Sequence, residues 1–124
     1  MNIVDSSAWL EYFADSVNAN NFKKAIEDVN NLLVPSISMY EVYKCVYKQR
    51  GMDTATTAIG VMNQAQVVDL STTISLTAAT YSLNYKLPMA DSIIYATAQL
   101  HDATVWTQDA DFKNLPNVKY FKKK

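Results

Sequence analysis

Hydrophobic residues recur along this chain in two rhythms. Short apolar runs occur in "NIVD", "LLVPS", "QVVDL", "TVWT" and "VKYF", each the length of a buried strand. Between them apolar residues return every three or four positions, as at Phe22, Ala25, Ile26 and Val29, the spacing of a helix with one buried face. Read in order, the pattern predicts a strand over 2–5, a helix over 6–15, a second helix from Ala19 to Asn30, and a strand over 32–36 stopped by Pro35. A helix over 37–51 ends at Gly51, and another runs from Asp53 to Gln64. After a strand over 66–70, a helix from Thr72 is closed by Pro88, and the same proline opens the next helix, which runs to Asp102. A strand over 104–107, a turn of helix from Ala110 to Asn114 and a strand over 118–121 complete the chain.

Short apolar strands separated by helices predict an α/β fold, with helices on both faces of a mainly parallel sheet of about five strands. With 124 residues the chain is long enough for one core and is expected to form a single domain, residues 1–124. Only 2 Gly and 3 Pro argue against an all-β fold rich in tight turns and against a linker-rich chain. No stretch approaches the roughly 20 apolar residues that span a bilayer, and the N-terminus lacks a basic region followed by a long apolar run. The protein is therefore expected to be cytoplasmic and not to associate with membranes.

Composition narrows the chemistry. One Cys and one His exclude a disulfide framework and a Cys/His zinc cluster. Cys45 lies in an apolar helical pattern and reads as a small core residue. His101 follows a long helix, where a cation complements the C-terminus. A net charge of −1 supplies no overall field for nucleic acid, so any such binding relies on local patches. Carboxylates and hydroxyls remain as the groups able to do chemistry.

The acids fall at helix beginnings. Asp5 ends the first strand; Glu41 is placed in the first turn after the second; Asp91 sits in the first turn of the helix that Pro88 opens; Asp109 follows the fourth strand. Each has a local explanation: Asp5 as an N-cap, Ser38 and Glu41 as a capping box, Asp91 as a partner of the helix dipole, Asp109 as a cap of the short helix. Three of these elements follow parallel strands, however, and so open on one edge of the sheet, where their acids converge. Carboxylates sharing a cleft repel unless they are protonated or share a cation. An all-oxygen ligand set suits Mg²⁺ or Mn²⁺, and the chemistry such a site favours is phosphodiester hydrolysis.

The segments "IVDSSAWLEYF", "PSISMYEVYK", "LPMADSIIYATA" and "VWTQDADF" resemble, in order and spacing, the motifs of PIN-domain ribonucleases, and the chain has the length of the VapC-type toxins in that family. The resemblance runs from Asn2 to about Phe121. It implies a three-layer α/β/α PIN-like fold and a Mg²⁺- or Mn²⁺-dependent endoribonuclease acting on RNA. It also implies a homodimer and a cognate antitoxin that inserts into the active-site groove, as in VapBC pairs. Carried over by position, Asp5 and Asp91 match the acids that most directly hold the metal, Glu41 the second acid of the set and Asp109 the fourth. Ser7 and Thr107 match hydroxyl positions that hydrogen-bond the carboxylates or a water. Ser92 stands where many relatives have Ala. The implied mechanism is in-line attack of water on RNA phosphorus, with Glu41 or Asp109 assisting proton removal.

Within "WTQDADF", two helical residues in alternate positions point about 200° apart, so Asp109 is the better ligand candidate and Asp111 the better cap or water-mediated partner. Tyr40, Tyr43 and Tyr47 form a stripe whose plainest reading is core packing, with base stacking, a second protomer or an antitoxin helix as alternatives. Lys44, Lys48, Arg50, Lys119 and Lys122 to Lys124 are candidates for phosphate contact or a solvated face. Trp9 and Tyr12 read as core. Two other classes remain open: a catalytically silent PIN-like binding module, and a phosphoacceptor receiver domain using Asp69 at the end of the third strand.

Overall fold

The strand β1 (Asn2–Val4) lies at the centre of a five-stranded sheet in the computed structural model, which describes residues 1–124. It is followed by α1 (Ser6–Phe13), α2 (Ala19–Glu27), β2 (Leu32–Pro35), α3 (Ser36–Arg50), α4 (Met52–Met62) and β3 (Gln66–Val68). Then come α5 (Thr72–Tyr85), α6 (Met89–Leu100), β4 (Thr104–Thr107) and β5 (Val118–Tyr120), with single 3₁₀ turns at Val29–Asn31 and Ala110–Phe112. The strand order is β3-β2-β1-β4-β5 and every pairing is parallel, so the sheet is wholly rather than mainly parallel. No helix is long and apolar enough to cross a membrane.

Alternation along the strands builds the three layers. Successive strand side chains point to opposite faces. Val4, Leu32 and Val34 accordingly pack under α1 to α4 with Trp9, Phe22, Val42, Val46 and Met62. Ile3, Leu33 and Val105 point the other way, to Ile94, Tyr95 and Ala98 of α6, which in turn packs on α5. Trp9 is fully buried in the first layer, yet its Nε1 finds no acceptor. Its contribution is therefore volume. Trp9→Ala is expected to cost about 3–5 kcal/mol. Trp9→Phe should cost clearly less in denaturant unfolding; equal losses would contradict this reading.

Element existence and order match the sequence pattern, and the ends differ for local reasons. α1 stops at Phe13, since Asp15 takes a positive φ of 50°. α2 stops at Glu27 because Asp28 and Asn31 bond to each other through side chains and backbone, which diverts the chain into a 3₁₀ turn. β3 ends at Val68 because its partner position is Pro35, where β2 already gives way to α3. α5 ends before Lys86, which adopts the left-handed conformation while the Ser82 hydroxyl donates to the Leu87 carbonyl at 2.7 Å. Gly51, at φ 92°, turns the chain from α3 into α4.

Four side-chain expectations are corrected. The Ser38–Glu41 capping box does not form: Pro35, with its fixed φ, caps α3, so Ser38 falls inside the helix with its buried hydroxyl unpaired and Glu41 falls in the second turn. The tyrosine stripe is not core, for Tyr40 is 60% and Tyr47 48% exposed, with Tyr43 half-buried. Cys45 is half-buried at the surface of α3, one turn from Glu41, and not a core residue. Tyr12 is likewise only half-buried. His101 is exposed at the end of α6, its Nδ1 2.8 Å from the Thr97 carbonyl oxygen.

Candidate functional site

The chain builds outward from β1 through β2 to β3, then crosses the sheet and inserts β4 on the other side of β1. In open parallel sheets a cleft forms at such a reversal, beyond the carboxyl ends of the strands. Asp5 stands at the end of β1 and Asp109 two residues beyond β4, one on each side of that cleft. α6 packs against β1, β2 and β4 and carries Asp91 in its first turn. Ligand oxygens of Asp5, Asp91 and Asp109 lie within 4.8 Å of one another.

Asp5 is also the N-cap of α1: its Oδ1 accepts from the Ala8 amide at 3.2 Å. The Ser7 hydroxyl donates to both carboxylate oxygens, at 3.1 and 2.9 Å. The local explanation and the convergence with other acids therefore hold together. Thr107 accepts the Asp109 amide at 2.8 Å on its hydroxyl oxygen, and Asp109 Oδ1 accepts from the Asp111 amide at 2.9 Å. Asp111 is exposed and does not join the trio. Glu41 stands beside the trio rather than in it. Its Oε1 accepts from the Ser6 hydroxyl at 2.6 Å, and its charge still reaches Asp91. Ser6 was the residue the sequence did not single out, although its place in "DSS" beside Asp5 is the signal that pointed to it. Ser92 donates to the Met89 carbonyl at 2.6 Å, a bond internal to α6 that leaves the trio untouched.

Burial and mutual repulsion decide the electrostatics. Asp5 is 1% exposed, and desolvation pushes its carboxyl from 3.8 up to about 7, against the pull of its bonds with Ser7, Ala8 and Thr107. Asp91 is pushed up to about 8, first by burial and then by Asp109, Asp5 and Glu41. Every charge raising Asp91 is another carboxylate. Such a set is poorly matched to neutral water and well matched to a divalent cation, whose charge would offset both desolvation and repulsion. Oxygen donors alone suit Mg²⁺ or Mn²⁺. Asp69 follows the edge strand β3, two strands or roughly 10 Å from β1, too far to share an ion with Asp5 as a phosphoacceptor would.

The sequence model of the PIN domain family matches residues 3–118. No curated protein sequence matches the chain. Among solved structures, a toxin–antitoxin complex from Klebsiella pneumoniae is similar with a TM-score of 0.79 and 25% identity, covering 96% of each chain. VapBC2 from Rickettsia felis bound to a promoter DNA fragment gives 0.76 at 14% identity over 98% of each chain. VapC20 of Mycobacterium tuberculosis, described as a sarcin–ricin-loop-cleaving toxin, gives 0.76 at 13% identity, covering 90% of this chain and 92% of that one.

Proposed function

Because this chain belongs to the PIN-domain family, we propose that it is a single-domain, metal-dependent endoribonuclease and the toxin of a VapBC-type toxin–antitoxin pair. The observation that carries the reading is the trio of Asp5, Asp91 and Asp109 at the sheet reversal. Asp5, Asp91 and Asp109 would hold Mg²⁺ or Mn²⁺. When bound, that ion would offset charge building on the phosphoryl oxygens and acidify water at the site. The chain's own groups do the rest. Glu41, held by the Ser6 hydroxyl, is the group we assign to take a proton from the attacking water. Ser7 and Thr107 hold Asp5 and Asp109 in place, a supporting layer of the kind that metal sites depend on. Asp111 shapes the loop through its amide, with its carboxylate in water.

An antitoxin partner is supported by the similar toxin–antitoxin complexes. A homodimer is supported by apolar surface on α5 and α6, where Leu76, Leu83 and Met89 are exposed. A silent binding module is the competing reading, and the intact acid trio disfavours it. The test is to incubate the purified protein with a panel of structured RNAs in Mg²⁺, in Mn²⁺ and in chelator. Cleavage that needs either ion is the expected result. Binding of RNA or of an antitoxin with no cleavage in any metal would support the silent module instead.

A further inference from the structure

A closed ring of hydrogen bonds joins α1, which Asp5 caps, to the loop that carries Asp109. Gln108, the residue before Asp109, donates from Nε2 to Glu11 Oε1 at 3.1 Å. Its Oε1 accepts from Asn18 Nδ2 at 3.0 Å, and the Asn18 backbone amide closes the ring by donating to Glu11 Oε2 at 2.9 Å. Asn18 and Gln108 are buried and Glu11 is half-buried. Gln108 is 97 residues from Glu11 and 90 from Asn18, so only the finished fold brings them together.

The ring tolerates one arrangement of donors and acceptors. Asn18 gives it two donors, and the orientation of that side chain is fixed because Nδ2 also donates to the Lys122 carbonyl at 3.0 Å, which can only accept. The side chains at 11 and 108 must therefore each offer one oxygen to Asn18. Where they face each other, one must donate and the other accept. One carboxylate and one amide satisfy this. Two amides would set donor against donor; two carboxylates would set acceptor against acceptor with like charges, and such a mismatch is costly where water cannot repair it.

The ring lies where the acid trio needs support. Pairing with β1 holds β4 as far as Trp106, and the Phe121 amide holds the Thr107 carbonyl at 2.9 Å. Beyond Thr107 the loop is tied to α1 through Gln108. The Asp109 carboxylate is bonded within its own turn, to the Asp111 amide, so its distance from Asp5 depends on where that loop is held.

We infer that Gln108 is a positioning residue, which with Glu11 and Asn18 clamps the Asp109 loop to α1 and keeps Asp109 within reach of an ion shared with Asp5 and Asp91. The assignment rests on the metal-site reading of the trio and adds three residues outside it.

The test measures Mn²⁺ binding to the full chain without RNA, from the electron paramagnetic resonance signal of the free ion, beside thermal unfolding in chelator. Gln108→Glu and Glu11→Gln are each expected to weaken Mn²⁺ binding by about tenfold, the scale seen when support of a metal ligand is lost. Gln108→Glu adds a negative charge beside the site, which by attraction alone would tighten the cation, so weakening there reports position and not charge. The exchange Glu11→Gln with Gln108→Glu restores one amide facing one carboxylate at unchanged net charge. It is expected to return the affinity to near that of wild type, the non-additivity of coupled partners. If Gln108→Glu is too unstable to assay, Glu11→Gln and the exchange decide alone. The control is Met62→Ala, buried on α4, which should lower the unfolding temperature without weakening Mn²⁺. Single variants that bind like wild type, an exchange as weak as the singles, or an equal loss in Met62→Ala would each overturn the clamp. A wild type that binds no Mn²⁺ would overturn the clamp and the metal site together. Wild-type RNA cleavage assayed in parallel separates the two readings: cleavage with unaltered single variants refutes the clamp alone, whereas loss and rescue of Mn²⁺ binding without cleavage in any metal refute the nuclease and leave the clamp standing.

Discussion

Asp91→Asn is expected to reduce RNA cleavage by well over a hundredfold and, in the absence of metal, to make the protein more stable at neutral pH. The first effect follows from position. Changing a residue that only supports a metal ligand costs about ten- to a hundredfold. Asp91 belongs to the trio itself and loses a charge as well as an oxygen of the right kind. The second effect follows from what the wild-type carboxyl endures in the absence of an ion. Burial and three neighbouring acids push it up to about 8, so at neutral pH the fold must either keep it protonated or accept repulsion. An amide is neutral and removes that conflict. Asp5→Asn should behave the same way, tempered by its role as N-cap, which Asn can also fill. The measurement is a pair of cleavage time courses in Mg²⁺ beside thermal unfolding in chelator. Undiminished cleavage by both variants would mean a contaminating nuclease or another site, and loss of cleavage with loss of stability would reduce the trio to a structural role.

Stability should also depend on pH and metal together. In the unfolded chain both aspartates titrate near 3.8; in the folded one Asp5 is raised to about 7 and Asp91 to about 8. Between those values the folded state binds more protons than the unfolded state, so the metal-free protein loses stability as pH rises from about 4 to about 8, by at most about 1.4 kcal/mol per pH unit for each group. Asp91, being half-exposed, contributes less than that ceiling. Divalent cation acts in the opposite sense, because it binds the ionised acids and not the protonated ones. Mg²⁺ or Mn²⁺ should therefore raise the unfolding temperature strongly near pH 8 and hardly at all near pH 5. Thermal melts on a grid of pH and metal concentration decide the matter. An equal metal increment at both ends, or a metal-free protein whose stability is unchanged between them, would contradict these protonation states.

Much of this was legible in the residues, and the failures have physical causes. Alternating runs such as Ile3 and Val4 specify two buried faces, so the layered sheet could be read from period alone. Asp109 lies with the other acids and Asp111 does not, but not by the rotation expected of two helical residues: Asp109 is the extended N-cap of the 3₁₀ turn, its carboxylate accepting from the Asp111 amide. Other features were hidden because they depend on partners distant in sequence. Ser38 and Glu41 have the spacing of a capping box, yet Pro35 starts the helix earlier and sends Glu41 to Ser6, 35 residues away. Tyr40 and Tyr47 have helical spacing that looks like a buried stripe, and only the placement of α3 at the surface shows that their rings meet solvent. Lys123 and Arg50 could each be seen as basic, but nothing local says that they line one cleft.

The strand order carries a consequence in time. β1 is made first and sits in the middle, paired with β2 on one side and with β4 on the other, and Asp5 reaches Asp109 only across that second pairing. A chain emerging from the ribosome leaves one edge of β1 open until Thr104–Thr107 have been synthesised and docked. During that interval it holds two of the three acids and lacks the wall that completes the cluster. The activity proposed for the protein is thus assembled late, by the same strand insertion that closes the sheet, and a chain cut short before β4 would carry neither.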